Sequence, residues 1–297
     1  MGAGPMRQQQ MSLSELRREI DSVDDAIYDL LVTRAHLFEQ IDQHPERAAG
    51  EAGVPLSPPA QKAEILRRII GRESRNLPLR SLIHIWCEIV AARPGTQGTL
   101  HVFAGGAAMH YHDLARTYFG SLMAMVSHAS AMGVVHACAD DARAIGIVPL
   151  AESNEEGASW WTHLAPAGVS GPHVVARIPF VRDDGGAQIF PEAFAIGALE
   201  QEETGDDTTL LLLETEGEMS RRRLQAFLYD AGFRARILAA AGAPGRGLNH
   251  LMLANRGFVG ARDPRLEMFL DKAGDEILRV APIGGYANPL NGKDESP

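Results

Sequence analysis

Two arginines on one long helical segment are the residues of this sequence best suited to hold a small anion. Arg17 and Arg34 are 17 positions apart, which corresponds to about 25 Å along an α-helix. A guanidinium group binds a carboxylate through two parallel hydrogen bonds. Because no small metabolite spans that distance, two functional arginines at this spacing require a second chain, and therefore an obligate dimer. The alternative is that each arginine belongs to a solvated helix face.

Three other groups of residues favour structural interpretations. Five histidines occur in the middle of the chain: His101, His110, His112, His128 and His136. Their spacing fits no closed set of metal ligands, so no metal site is expected. Gly105-Gly106 lacks the full glycine-rich phosphate-binding pattern and is interpreted as a turn between a strand and a helix. Cys87 and Cys138 are interpreted as small buried side chains in a reducing cytoplasm.

The composition excludes several classes of protein. A chain of 297 residues with 45% hydrophobic residues is long enough for two or three domains with ordinary cores. A net charge of −10 argues against nucleic acid as the main partner. No apolar run approaches the roughly 18 residues of a membrane span, and residues 1–10 lack the apolar stretch of a secretory signal. The expected location is the cytoplasm, without membrane contact.

The N-terminal third is predicted to be entirely helical. Ser12 and Glu15 form a capping box, and apolar residues follow at helical spacing without Gly or Pro until Pro45. This pattern predicts one helix of about 30 residues, which needs partner helices along its apolar face. A loop over 44–56 follows.

Two shorter helices complete this part. Ser57 is predicted to cap the first of them, with Pro58 in its first turn. Pro78 opens the second, which ends at Pro94-Gly95. Their predicted inward residues are Ile65, Leu66, Ile69 and Ile70 on one helix, and Leu82, Ile83, Ile85, Trp86, Ile89 and Val90 on the other.

From Leu100 onward the pattern is typical of an α/β protein, in which short strand-like runs alternate with helices. The apolar runs cover 100–104, 134–137, 145–150 and 174–181, and the main helical segment is 110–125. From residue 208 the predicted order is βαββαβ, a ferredoxin-like module. The predicted fold class is α + α/β, with an all-helical domain over 1–98, an α/β lobe over 99–205, and the ferredoxin-like module with a polar tail over 206–297.

The first helix carries a specific resemblance. Its segment LRREIDSVDDAIYDLLVTRAHL resembles that of the all-helical chorismate mutases, with Arg17 and Arg34 at the two arginine positions of that family. The resemblance implies a cofactor-free pericyclic conversion of chorismate to prephenate in an intertwined homodimer, each site taking one arginine from each subunit. Such a site holds a flexible dianion in its reactive conformer and stabilises charge developing on the ether oxygen.

The remaining positions of the mutase pattern are only partly retained. Gln97 stands where the family has the glutamine that serves the ether oxygen. The family's lysine near the end of the first helix has no counterpart around 43–45, its Arg-Glu pair reads Gln61-Lys62, and a serine reads Arg93. Arg47, Lys62 and Arg93 are candidate substrate-binding residues that could supply the missing cation. Otherwise Lys62 and Arg93 are surface charges.

The rest of the chain resembles prephenate dehydratase followed by an ACT module. The segments that carry this likeness are FAGGAAMHYHDLARTYFG, AIGIVPLAESNEEG and AFAIGALEQEETGDDTTLLLLETEG. The Gly-Pro-x-Gly-Thr element of the dehydratases, however, reads Gly105–Met109, and their Thr-Arg-Phe triplet reads Glu192-Ala193-Phe194. A dicarboxylate site that loses a cation and gains an anion is electrostatically unsuitable, so dehydratase activity is predicted to be absent. The phenylalanine-binding motif of the ACT module reads Ala239–Gly242, so that effector site is predicted to be lost.

The sequence therefore predicts a cytoplasmic, dimeric chorismate mutase of aromatic amino-acid biosynthesis. Arg17 and Arg34 would bind the carboxylates of chorismate, Gln97 would contact the ether oxygen, and no cofactor is needed. The C-terminal two thirds would serve as a scaffold or a ligand-sensing appendage. The alternative is a catalytically inactive paralogue that binds a metabolite or regulates a partner enzyme.

Overall fold

The computed structural model describes residues 11–44, 58–72, 77–92, 98–105, 109–151, 159–182, 191–217, 219–242 and 248–291. The chain forms two compact units, Met1–Ala52 and Gly53–Pro297. Among the described residues, no helix is long and apolar enough to cross a lipid bilayer.

The first unit is the predicted long helix. Helix α1 covers Leu13–Asp42, which is 30 residues. The Oγ of Ser12 accepts a hydrogen bond from the backbone N–H of Glu15, and the Glu15 carboxylate accepts one from the backbone N–H of Ser12, so the capping box is confirmed. The large apolar and aromatic side chains of α1 that are exposed are Leu13, Leu16, Ile20, Val23, Ile27, Tyr28, Leu30, Leu31, Val32, Leu37 and Ile41.

The second unit contains the remaining described helices and strands. The helices are α2 (Pro59–Ile70), α3 (Leu79–Ala91), α4 (Met109–Phe119), α5 (Ala131–Asp140), α6 (Arg221–Asp230) and α7 (Pro264–Ala273). The strands are β1 (Thr99–Phe103), β2 (Ala124–His128), β3 (Ile145–Pro149), β4 (His173–Ile178), β5 (Val181–Arg182), β6 (Ala193–Gly197), β7 (Asp207–Glu216), β8 (Ala235–Gly242), β9 (Leu248–Arg256), β10 (Ile277–Ala287) and β11 (Leu290–Asn291).

One nine-stranded sheet runs through this unit in the order β2-β1-β3-β6-β4-β10-β7-β9-β8. The α/β lobe contributes the first five strands, with β1 parallel to β2 and β3, and β6 antiparallel to β3 and β4. The last four strands form the predicted βαββαβ module, whose pairs are all antiparallel. Helices α6 and α7 cover one face of that module, where Leu224 of α6 and Phe269 of α7 share a core with Leu211 and Leu213 of β7.

A parallel contact between β4 and β10 joins the two halves of the sheet. Gly284 of β10 lies opposite Val174 of β4 and has φ +105°. A Cβ atom at Gly284 would collide with the backbone nitrogen and oxygen of Val174. Glycine is therefore required here for two independent reasons, the left-handed backbone and the close approach of two main chains.

The predicted fold class is confirmed, but several elements differ from their predictions. The run 134–137 lies in α5, because Ser130 caps that helix and Ala131, Val134, Val135 and Cys138 are buried at helical spacing. The segment 110–125 is helical only to Phe119, and β2 begins at Ala124. Strand β6 has no counterpart among the predicted strands.

The two short helices also differ in detail. Helix α2 begins after Pro58, which has no side chain able to cap it, and Ser57 lies outside the described residues. Ile85 is exposed rather than inward. Leu66 and Cys87 lie in the main core of the second unit, as predicted, and Ala63 lies there with them. The division into domains at residues 98 and 205 stays a prediction.

Substituting Gly284 should show how strongly the sheet depends on the β4–β10 contact. We expect Gly284→Ala to lower the free energy of unfolding by about 3 kcal/mol or more, because strain and a backbone collision act together. Gly257→Ala is the matched control, since Gly257 has φ +98° but nothing within 4 Å of an added Cβ, and it should cost only about 1–2 kcal/mol. Thermal unfolding followed by circular dichroism measures both. Equal losses would show that the close approach does not matter.

Candidate functional site

The two arginines of the mutase pattern both lie on α1. Arg17 is exposed, and Arg34 is half-buried with its guanidinium 4.6 Å from the centre of the Phe38 ring. Because α1 is one continuous helix, the two positions are about 25 Å apart along its axis. A single chain therefore does not bring the two guanidinium groups together, as the spacing in the sequence required.

Three other candidates, Arg47, Arg93 and Gln97, lie outside the described residues. Position 93, where the family has a serine on its third helix, is one of these residues, and α3 is described only as far as Ala91. The chain around 43–45 has no lysine, and α1 ends just before it at Asp42. The cation that replaces the family's lysine is thus not assigned by the structure.

Lys62 lies in the core, so its interpretation as a surface charge is wrong. The residue is only 5% exposed and belongs to α2. Its Nζ donates a hydrogen bond to the backbone oxygen of Tyr118 and lies 3.9 Å from the centre of the Tyr118 ring and 5.6 Å from that of Phe119. A substrate role would require the ammonium group to leave these partners, so the burial counts against Lys62 as the missing cation.

The buried ammonium and its neighbours perturb each other's ionisation. Burial lowers the pKa of Lys62, and the nearby Cys87 thiol and Glu88 carboxylate partly oppose this effect. Burial likewise raises the pKa of Cys87, which Lys62 partly opposes. Both shifts have the direction expected when a charged form is removed from water. The buried Lys62 ammonium group links α2 to α3 through Cys87 and to α4 through Tyr118, and it is not exposed to solvent.

In the α/β lobe, the anion gained at Glu192 has a partner that the sequence interpretation missed. Arg177, near the end of β4, forms an ion pair with the Glu192 carboxylate, and its other terminal nitrogen donates to the Tyr286 hydroxyl at 3.3 Å. The Arg177 and Glu192 side chains are 13% and 17% exposed. Burial lowers the pKa of Arg177, but the hydrogen bond to Glu192 and the adjacent Tyr286 outweigh it and leave this pKa above its ordinary value.

A signal for this pair existed in the sequence. Arg177 is the one charged residue of the apolar run 174–181. A cation inside a buried strand requires a compensating anion. The identity of that anion could not be read from the sequence, because Glu192 lies 15 positions away and reaches Arg177 only through the pairing of β4 with β6.

The histidines of the lobe form pairwise contacts. His101 and His128 share a hydrogen bond of 2.8 Å between ring nitrogens, and His112 bonds the Ser127 hydroxyl at 2.8 Å. Burial, followed by the neighbouring His128, lowers the pKa of His101. Within the described ranges, no three His, Cys, Asp or Glu side chains gather as metal ligands. At the other end of the sheet, Ala239–Gly242 lie on the outer strand β8.

Comparison with known proteins supports the mutase likeness of the N-terminal part. Residues 16–93 match the family model described as chorismate mutase type II. A curated relative is the bifunctional chorismate mutase/prephenate dehydratase of Aquifex aeolicus (strain VF5), 32% identical over 114 residues, or 36% of this chain. The match spans only 30% of that relative. The predicted resemblance to a mutase joined to a dehydratase-like region is thereby confirmed.

Two solved structures resemble the chain weakly. Prephenate dehydratase from Streptococcus mutans is 14% identical with a TM-score of 0.44, covering 64% of this chain and 98% of its own. Prephenate dehydratase in complex with L-Phe from Arthrobacter aurescens is 11% identical with a TM-score of 0.46, covering 67% and 92%. Because both TM-scores are below 0.5, neither likeness carries an argument about this chain.

The ionisation of Lys62 gives a pH-dependent test of its burial. Since its pKa in the folded chain lies below the unfolded value of about 10.5, the unfolded state binds more protons between the two values, and stability rises with pH there. Replacing Lys62 by Met removes this gain. We therefore expect the free energy of unfolding of Lys62→Met, minus that of the wild type, to fall as pH rises within that window. The expected slope is about 1.4 kcal/mol per pH unit.

Urea unfolding between pH 7 and 10.5 measures this difference. Lys272→Met is the control, because Lys272 is exposed on α7. If the difference for Lys62→Met is as flat with pH as that for Lys272→Met, the ammonium group is not buried in the folded protein.

Proposed function

We propose that this protein is a chorismate mutase, an intramolecular isomerase that converts chorismate to prephenate without a cofactor. The proposal is supported by the family match over residues 16–93 and by Arg17 and Arg34 on one uninterrupted helix. It places the chain in aromatic amino-acid biosynthesis in the cytoplasm. Chemistry of this kind needs positioning and charge stabilisation rather than a nucleophile, so two guanidinium groups are a suitable minimum.

The observation that carries the proposal is the exposed apolar face of α1 together with its two arginines. An apolar stripe along 30 residues is stable in water only when another helix covers it. A second copy of α1 running in the opposite direction would cover the stripe. It would also bring Arg17 of one chain close to Arg34 of the other. One homodimer thus meets both the packing requirement and the geometric one.

Within such a dimer the roles follow from the chemistry of each group. Arg17 of the partner subunit and Arg34 bind the two carboxylates of chorismate. Gln97 donates to the ether oxygen, where negative charge develops. Arg47 and Arg93 are the candidates for the cation that replaces the family's lysine, since the Lys62 ammonium group is bound to the backbone oxygen of Tyr118.

The alternative is a catalytically inactive paralogue that binds a metabolite or regulates a partner enzyme. One specific observation favours it. Gln61 and Lys62 replace the Arg-Glu pair of the family, and Lys62 is buried among aromatic rings. In this alternative, the same kind of dimer binds chorismate but does not rearrange it.

Loss of either arginine should abolish turnover. We expect Arg17→Ala and Arg34→Ala each to reduce the rate of chorismate disappearance, followed by absorbance, by about 10²-fold or more, because each removes a charged contact to the reacting dianion. Arg18→Ala is the matched control, since Arg18 is the neighbour of Arg17 and its Nε contacts only the backbone oxygen of Ser14 among the bonds described. Turnover unchanged in Arg34→Ala would remove the site assignment.

Mixing the two inactive variants tests whether the site is shared. A mixed dimer of Arg17→Ala and Arg34→Ala chains has one site with both arginines intact and one with neither. Random mixing should therefore restore about a quarter of the wild-type activity. No recovery, despite exchange of subunits, contradicts a shared site. No turnover by the wild type, with intact helicity by circular dichroism, supports the inactive paralogue.

Dehydratase activity should be absent. The Arg177 cation of the lobe is neutralised by Glu192, so the lobe offers a dianion no net positive charge at this position. We expect no phenylpyruvate from prephenate above the uncatalysed rate, measured by absorbance at alkaline pH. Formation of phenylpyruvate that disappears in Arg177→Gln would show that the lobe is an active dehydratase.

A further inference from the structure

Strand β2 is only weakly enclosed by the rest of the α/β lobe. It forms one edge of the nine-stranded sheet, where it pairs with β1 alone. Three of its five residues are exposed and none is buried. Because so little apolar surface holds this strand, its position depends on hydrogen bonds, and we expect it to open locally before the centre of the sheet does.

Two imidazole rings connect β2 to β1. The Nδ1 atom of His101 on β1 lies 2.8 Å from the Nε2 atom of His128 at the end of β2. Gly146 of β3, on the other side of His101, has no side chain that could take part.

The bond between these rings tolerates only some protonation states. A hydrogen bond between two ring nitrogens needs one N–H group and one lone pair. The neutral pair meets this requirement, and so does the pair with one additional proton. A second additional proton removes the remaining lone pair. Two N–H groups and two positive charges then face each other, and the bond between His101 and His128 is lost.

Both rings lie on the face of the sheet that α5 covers. A Cβ atom at Gly133, in the first turn of α5, would lie 3.3 Å from His128 Nδ1. The positive end of the helix dipole therefore disfavours an added proton on His128. At the other end of α5, Asp141 acts on His101 in the opposite sense, and Arg143 donates to the Asp141 carboxylate. Burial and the neighbouring His128 outweigh Asp141, so the pKa of His101 is lowered.

The other titratable groups of the two adjacent helices do not compensate a doubly protonated pair. The exposed ones on α4 and α5 are His110, Asp113, Arg116, His136 and Asp140. Solvent and salt screen such charges. Helix α4 contacts the opposite face of β2, where His112 bonds the Ser127 hydroxyl. A protonated His112 can still donate to that hydroxyl, so this second bond is retained in acid.

We propose that the His101–His128 bond is an acid-sensitive latch, which holds β2 on the sheet near neutral pH and releases it when both rings are protonated. In the open strand each imidazole can take up a proton in water, where the ordinary pKa of histidine is about 6.5. The closed pair accepts at most one additional proton without losing its bond. The open form therefore binds more protons, and its population rises as pH falls below about 6.5. No residue of α1 takes part, so the latch is independent of the mutase proposal.

Hydrogen exchange of the full-length protein at pH 7 and pH 5 tests the latch. Mass spectrometry follows the peptide that contains β2, and each rate is corrected for the intrinsic exchange rate at that pH. We expect the opening equilibrium constant of β2 to rise by about 10-fold or more, because opening takes up at least one proton. Strand β7, between β10 and β9, is the internal reference and should change less. A β2 peptide that opens no more at pH 5 than at pH 7, or a β7 peptide that opens equally, overturns the proposal.

The double variant His101→Gln/His128→Gln assigns the response to this pair. Two glutamine amides can bond each other but take up no proton, so we expect the acid-induced opening of β2 to disappear. His136→Gln is the matched control, since it removes an exposed histidine of α5 and should keep the wild-type response. If the double variant does not fold, His128→Gln replaces it, because a glutamine carbonyl still accepts from a protonated His101. An acid response of wild-type size in the folded variant assigns the opening to other groups and contradicts the latch.

Discussion

The second unit depends on one close contact between two main chains. At Gly284 the backbone of β10 approaches the backbone of β4 more closely than any side chain allows. This contact makes one sheet of the α/β lobe and the ferredoxin-like module. It also sets Tyr286 beside Arg177, so the polar cluster between the two halves exists only because the strands are parallel and adjacent there.

Local signals in the sequence predicted the elements that have strong periodicity or caps. Helix α1 was predicted within a residue or two because the capping box and an uninterrupted apolar repeat define it. The βαββαβ order was predicted because its strands are long and Pro264 marks the start of α7. The run at 134–137 was wrongly grouped with the strand-like runs, since a short apolar run is equally compatible with a buried strand and a buried helix.

The candidate sites were predicted less completely, because their side chains meet through tertiary packing. The identity and spacing of Arg17 and Arg34 were evident, and they led to the dimer proposal. The burial of Lys62 was not evident, because Tyr118 lies 56 positions away and approaches it only after α2 and α4 pack. Arg177 was hidden for the same reason. For Arg177 a charge inside an apolar run was the available signal, although the sequence did not name its partner. Lys62 follows Gln61 and comes two positions before Glu64, so its sequence surroundings gave no such signal.

The burial of Lys62 has a consequence for how this polypeptide can be divided. The family match ends at residue 93, yet α2 and α3 place Leu66 and Cys87 in a core shared with the strands and helices that follow. Ending the chain after α3 would expose the Lys62 ammonium group and several apolar side chains, because the strands and helices that cover them would be removed. The homologous segment, residues 16–93, therefore coincides with neither compact unit of the structure, because it takes in most of the first unit and the first two helices of the second.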